Sequence, residues 1–575
     1  MKALKPISMA QRIVLHAERL SIMHDGSTNT INQVYASMTG SDNGVYTLRE
    51  MIKQDDRADF IAAMLVEIHD HEERNHWTMI PRNMLPEGAK TIMSVWSFKR
   101  KRLPDGEILK HKARLCAHGG MQTWGENYWE TYAPVVNWLS VRIILIILIL
   151  HDLDTRAMDF VLAFPQADLD EDVYMELPYG FEAMNGENKE YVLKLNKSLY
   201  GLKQAAHNWF QTLDGALQNR NFKSSNIDQC VYFRSDCIVL VYVDDCIIIS
   251  KKNTKVADTL IESMRTGTEQ FKLEDLGTMD RFLGVDIKEN KNGTIELSQP
   301  HLITRFIELI NIEENEHSKD TPAMKSLLHK DTDGTDRRTE WNYRTAVGML
   351  TYLQGCTRPD LSMAVHQSAR FCNFPKLIHE RAIRRIGKYL IDNRTRGIVF
   401  SPDRSKGLEV FVDADFAGNW DKADSENVEN VMSRTGYVLR YAGCPIHWRS
   451  ILQTEVCLST AESEYCALSQ ALREVLPTMT FLEEINKFID IKIPTPKINC
   501  TVYEDNNACI SMANSNKFSP RTKHIALKYY YFRLAVQRKQ VVIFPIDTDE
   551  QIADIFTKPL QGEKYKYLRH KLLGW

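Results

Sequence analysis

Residues 238–249, IVLVYVDDCIII, set the pair Asp244-Asp245 between two short, wholly apolar runs. Val, Ile and Tyr favour strands, so burying both runs brings two carboxylates side by side at the tip of a hairpin. Adjacent carboxylates there repel one another unless a cation lies between them, and a magnesium-like ion with its preference for oxygen ligands suits them. A surface turn is the reading that Asp-Asp alone would favour. The chemistry open to such a pair is in-line phosphoryl transfer. There, two metal ions about 4 Å apart stabilise the attacking and leaving oxygens, and carboxylates from separate strands hold the ions. A third acid should then end another strand upstream. Asp159, in RAMDFVLAF at 156–164, is the candidate. A lone Asp among apolar strand residues is costly without cations, although a strand-end cap is its plainer reading.

A second set of acids lies downstream: Asp413 in FVDAD, Glu464 in STAESEY, Asp505 in YEDN and Asp554 in EQIAD. Four acids on four elements are what a two-metal phosphodiester hydrolase requires. Spacing alone says little in a chain with 75 acidic residues. Positions 413 and 415 share a strand face, so Asp415 stays a rival to Asp413, as Glu462 does to Glu464.

The elements that must position these acids can be read coarsely. At 575 residues the chain is too long for one core. It is 43% apolar and 26% charged, and its 72 basic and 75 acidic residues leave a formal charge of −3, so any nucleic-acid surface must be local. Eleven cysteines without a C-x-x-C pair argue against a zinc site or a disulfide framework and for a reducing compartment. The longest apolar run, Ile143–Leu150, is far short of a membrane span and predicts a buried helix. Residues 1–45 read as a polar, loose leader without a secretory signal. Phe60, Met64, Ile68 and Glu72 predict a helix, on which His69 and His71, with His76 nearby, read as a charged surface. Residues 91–117 read as a basic hairpin turning at Pro104-Asp105-Gly106. Its Lys99–Arg102 cluster is also compatible with a nuclear address. Residues 311–340 read as a linker, 341–400 as mostly helical, and from Gly407 the texture turns to strand.

Taken in order, these segments resemble a known family. Asp159-x-x-x-Ala163-Phe164 is followed by Val173-Tyr-Met-Glu-Leu-Pro178-x-Gly180-Phe181 and by Leu195-Asn-Lys-Ser-Leu-Tyr200-Gly-Leu-Lys-Gln204-Ala-Ala-x-x-Trp209. With the Tyr242–Asp245 hairpin they resemble the copia-type retrotransposon reverse transcriptase, and the likeness runs from about residue 50 to 575. It implies that Asp159, Asp244 and Asp245 hold two magnesium ions, and that Phe164 blocks a ribose 2′-hydroxyl. Gln204 would sit near the incoming nucleotide, and Lys112 and Arg114 would grip its triphosphate. Leu283 and Gly284, in Phe282–Val285, would position the primer end. The plainer readings are core packing for Phe164, helix polarity for Gln204 and a solvated basic strand for Lys112 and Arg114.

Downstream, the contexts resemble the retroelement ribonuclease H, whose Asp-Glu-Asp-Asp set falls on Asp413, Glu464, Asp505 and Asp554. The choice over Asp415 and Glu462 rests on that likeness. Ser433–Gly436, Pro445–Gln453 and Arg521–Ile525 also fit. Ile451 replaces a frequent Lys and Tyr530 a frequent His, changes expected to lower nuclease activity without removing a ligand.

The resemblance implies an α+β chain: a right-hand polymerase of fingers, palm and thumb, joined by a helical connection to a ribonuclease H-like domain. The expected divisions are 1–45 leader, 46–310 fingers and palm, 311–404 thumb and connection, and 405–575 nuclease. The implied activity is RNA-directed DNA synthesis with cleavage of the RNA in RNA–DNA hybrids, using two Mg2+ per site, with Mn2+ as a substitute. Implied partners are RNA template, DNA primer, hybrid, deoxynucleoside triphosphates, and the integrase and capsid proteins of the same element, with no membrane. The implied location is a cytoplasmic virus-like particle or the nucleus. No knuckle, protease or integrase pattern precedes residue 50, so a processed product or a truncated gene model is expected. The alternative function is a decayed or domesticated relic that only binds nucleic acid.

Overall fold

The computed structural model describes residues 45–102, 107–179, 190–313, 316–420, 428–488, 499–515 and 532–575. Residues 1–44 of the expected leader, the 104–106 turn, Gly180-Phe181, Arg521–Ile525 and Tyr530 lie outside them. The chain is α+β, as expected, and its described residues form five sheets.

In the fingers, helix α1 (Arg57–Glu73) packs on the hairpin of β1 (Ser94–Arg102) and β2 (Ile108–Ala117). Phe60, Met64 and Ile68 are buried, as their spacing predicts, but so are Glu67 and His71. This corrects the reading of His71 and His76 as surface residues. The two rings meet Nδ1 to Nδ1 at 2.8 Å, and burial holds His76 down to about 3. Trp77 stacks on His71 at 4.7 Å and closes that side of the helix, which a surface reading left open.

Helix α2 (Trp138–His151) is the buried helix expected from Ile143–Leu150, begun by Asn137, whose side chain accepts the Leu139 N–H. It lies beneath a six-stranded sheet containing β3 (Leu153–Phe160), β4 (Cys237–Tyr242), β5 (Asp245–Lys251) and β6 (Leu273–Gly277), with β6, β3, β5 and β4 neighbours in that order. Helix α3 (Ala205–Gln218) packs on the same core through Trp209 and Leu213.

The expected boundary at 310 falls inside a unit. Strand β7 (Arg281–Phe282), β8 (Val285–Glu289) and Ile295–Ser298 form an antiparallel sheet that Ile398–Phe400 completes. The helices between, including α4 (Tyr343–Cys356), belong to the same unit, so 341–400 is mostly helical as read. Polar residues 316–340 form no helix or named strand yet pack, with Thr321 and Leu328 buried.

The last unit is a five-stranded mixed sheet: β9 (Leu408–Asp415), β10 (Arg434–Tyr441), β11 (Cys444–Leu452), β12 (Cys500–Glu504) and β13 (Val541–Pro545). Their order is β11-β10-β9-β12-β13, the first three antiparallel and the last three parallel. The long helix α5 (Thr460–Phe488) packs on β9 and β10. The short helix α6 (Asp554–Thr557) lies against Gly436, where a Cβ would meet the Thr557 methyl at 2.6 Å.

Arg142 joins the units. From α2 its guanidinium donates to the carbonyls of Ile446 on β11 (2.9 Å) and of Gly355 and Cys356 at the end of α4, and it lies 4.0 Å over the Trp448 ring. Among the described residues no carboxylate partners it, and burial lowers its pKa to about 9. Arg142→Ala leaves buried carbonyls unpaired, each worth about 1–3 kcal/mol. We expect about 3 kcal/mol of destabilisation and separation of one unfolding transition into two, read by urea titration with intrinsic fluorescence.

Candidate active sites

The palm hairpin is closed by two residues, since Tyr242 pairs with Asp245. Val243 takes φ 57°, a conformation costing a β-branched residue on the order of 1–2 kcal/mol. Two bonds hold it: Trp209 Nε1 donates to the Val243 carbonyl (2.6 Å), and the Phe160 N–H donates to the Asp244 carbonyl (3.0 Å). The second ties the tip to β3, where Asp159 lies directly opposite Asp245. Directly opposed residues share a sheet face. On the other edge of β3, Asp159 faces Glu274 of β6. Three acids therefore run across adjacent strands, Glu274–Asp159–Asp245, with Asp244 at the tip. Burial, then the Asp244 and Asp159 charges, pushes Asp245 up to about 6. Burial, then Asp244 and Glu274, raises Asp159. Sequence reading missed Glu274, because only the register of β6 places it beside Asp159.

The fingers supply the counter-charge. Lys101 lowers the proton affinity of both Asp159 and Asp245, and Lys112 that of Asp159, so β1 and β2 turn basic residues toward the acids. Arg114 lies 4.7 Å over the Tyr200 ring, which packs against Phe164 at 4.9 Å. Gly201, at φ 91°, lets this segment meet β2; a Cβ there would sit 2.2 Å from the Ala117 carbonyl oxygen.

Gln204, Leu283 and Gly284 are each held by local structure. Gln204 is fully buried; its amide accepts from Gln122 Nε2 (2.9 Å) and donates to the Asn127 carbonyl (2.8 Å). It braces the 122–127 loop, with both ends of its amide engaged inside the protein. Leu283 and Gly284 form the two-residue turn between β7 and β8, both at positive φ (50° and 70°). The turn itself explains the glycine, since nothing lies within 4 Å of its would-be Cβ.

The second site gathers on the mixed sheet. Asp413, near the end of β9, Glu464, in the first turns of α5, and Asp505, just after β12, place carboxylate oxygens within 4.8 Å of one another. Among the described residues no other group of three potential ligands is so close, the palm acids included. Asp415 is outside the trio, and Glu462 turns back to accept the Leu458 N–H (2.8 Å). Asp554 lies apart from the trio, one oxygen bonded to Lys558 and the other ion-paired with Lys564 at 2.9 Å without a hydrogen bond. Burial, then the Glu504 charge, pushes Glu464 up to about 11, and burial raises Asp413 to about 6. Glu504 is fully buried and also raised well above the carboxylate range by burial. Sequence reading took Asp505 and passed over this neighbour, which ends β12 facing the core. One oxygen each of Glu464 and Glu504 is buried without a hydrogen-bond partner. An all-oxygen donor set with unpaired buried lone pairs fits a hard divalent cation.

Residues 74–325 match the family described as reverse transcriptase (RNA-dependent DNA polymerase). The retrovirus-related Pol polyprotein from transposon TNT 1-94 of Nicotiana tabacum is 31% identical over 540 residues, 92% of this chain and 39% of that protein. Its counterpart from transposon RE1 of Arabidopsis thaliana is 32% identical over 517 residues, 89% of this chain and 33% of that protein. It resembles transposon Pol polyproteins along nearly its whole length. The chain spans between a third and two-fifths of the length of these relatives. A foamy viral protease–reverse transcriptase solved with double-stranded DNA aligns at 11% identity and TM-score 0.42, over 85% of this chain and 69% of that structure.

Proposed function

We propose that this chain copies RNA into DNA at the palm acids and cuts the RNA strand of RNA–DNA hybrids at the second site. The observation that carries the polymerase reading is the register that sets Asp245 opposite Asp159 with Asp244 at the adjoining tip. These acids would hold two magnesium ions, with manganese as a substitute. When bound, such ions neutralise triphosphate charge and lower the pKa of the attacking hydroxyl. The chain's own groups do the rest. Lys112 and Arg114 grip the triphosphate from the fingers. Phe164, backed by Tyr200, fills the space a ribose 2′-hydroxyl would need. Leu283 and Gly284 present a rigid turn to the primer end. Hybrid grip should rest on backbone and shape, so sequence preference should be low.

At the second site Asp413, Glu464, Asp505 and Asp554 would hold the ions, with Glu504 behind them. Template RNA, primer, hybrid and deoxynucleotides are the proposed partners, and integrase and capsid of the same element the proposed companions in a cytoplasmic particle. The deciding test is extension of a DNA primer on an RNA template. Magnesium-dependent extension that a chelator stops and added ion restores is expected. Hybrid binding without extension by folded protein would replace this reading with the nucleic-acid-binding relic.

Lys112 carries a pH prediction. Burial, then Arg114 and Lys101, lowers its pKa to about 8. Its grip is present below that pH and lost above it. The KM for a deoxynucleotide should rise up to about fivefold between pH 8 and pH 9. Lys112→Arg should flatten the rise, since an arginine stays charged there. A flat wild-type profile would remove Lys112 from the triphosphate grip.

A further inference from the structure

Asp413 has two flanks. On one, Glu464 and Asp505 complete the tight trio, and a buried oxygen of Glu464 has no partner. On the other lies Asp554, and the gap is already filled: Lys558 Nζ binds an oxygen of Asp554 and lies 3.3 Å from Asp413 Oδ1. The remaining Asp413 oxygen accepts from the Thr557 hydroxyl, and the remaining Asp554 oxygen is 2.9 Å from Lys564 Nζ. Both acids are buried, whereas a third of the Lys558 side chain is exposed. One flank is a set of carboxylates short of a cation; the other is a pair that already has one.

We propose that Lys558 is the resident cation of the Asp413–Asp554 flank and sets the metal stoichiometry of this site. The free protein takes one divalent ion, at Asp413, Glu464 and Asp505, and the ammonium keeps a second from binding between Asp413 and Asp554. The physical basis is competition: one gap between two carboxylates cannot hold an ammonium and a divalent ion together. A lysine suits the role because its charge rides on a flexible stem and can leave when another anion draws it out. The inference rests on the nuclease reading above, with Lys558 as a positioning residue.

The test counts Mn2+ by calorimetry and electron paramagnetic resonance in the full chain, with the palm silenced by Asp244→Asn and Asp245→Asn. The Lys558 protein should bind one Mn2+ at the second site, and Lys558→Met should bind two, with dipolar broadening between the spins. Lys558→Arg should still bind one. Lys564 remains to neutralise Asp554 in these variants. Should Lys558→Met prove too unstable to titrate, Lys558→Gln takes its place, its melting temperature rising more with Mn2+ than that of the Lys558 protein. Two ions in the Lys558 protein, or an unchanged count in Lys558→Met, would overturn the proposal. Asp505→Asn in the same background separates the two failures. Unchanged uptake there removes the metal site itself, whereas lost uptake with no gain in Lys558→Met removes only the role of the lysine.

Discussion

Asp244→Asn is expected to lower primer extension by at least about 10³-fold while hybrid cleavage stays within about twofold of wild type. Asn keeps the size and one oxygen of the side chain but loses the negative charge, which is what a divalent ion needs at the hairpin tip. The tip should survive, since its bonds from Trp209 and Phe160 run to backbone carbonyls and leave the Asp244 side chain free to change. Removing a charge that burdens Asp245 should also leave stability unchanged or slightly raised. The measurement pairs a primer-extension assay with a labelled-hybrid cleavage assay on one preparation. Loss of both activities in a folded variant would count against two separate sites.

The reciprocal result is expected of Asp505→Asn: hybrid cleavage falls by at least about 10³-fold and extension is spared. Asp505 is the least buried of the trio and accepts only the Thr548 hydroxyl at 3.1 Å among its described hydrogen bonds, so little packing depends on its charge. Asp413 is the poorer test residue, because Thr557 and Lys558 both bond to it and its loss would disturb α6. A polymerase-dead Asp505→Asn protein would show that the two units do not work as separate sites.

These predictions rest unevenly on sequence. The palm hairpin was legible because two apolar runs around Asp-Asp allow few other arrangements, and α2 because an all-apolar stretch of helical length has to be buried. The fingers hairpin was legible from its turn residues, and the β-rich final unit from the change of texture at Gly407. The positions of Asp413, Glu464 and Asp505 were legible only through resemblance, since nothing in their spacing excludes Asp415 or Glu462.

What sequence by itself determined were local matters: which runs become strands, where a two-residue turn falls, and which acids end which elements. These depend on side-chain pattern over a few residues. Tertiary structure alone decided who faces whom across long separations. It set Glu274 beside Asp159 through the register of β6 and buried His71 and His76 against Trp77 inside the fingers. It turned Gln204 inward on the 122–127 loop, carried Ile398–Phe400 back to Ile295–Ser298, and placed Lys558 between Asp413 and Asp554. In each case the deciding energy is the pairing or desolvation of groups far apart in the chain, which local pattern does not encode.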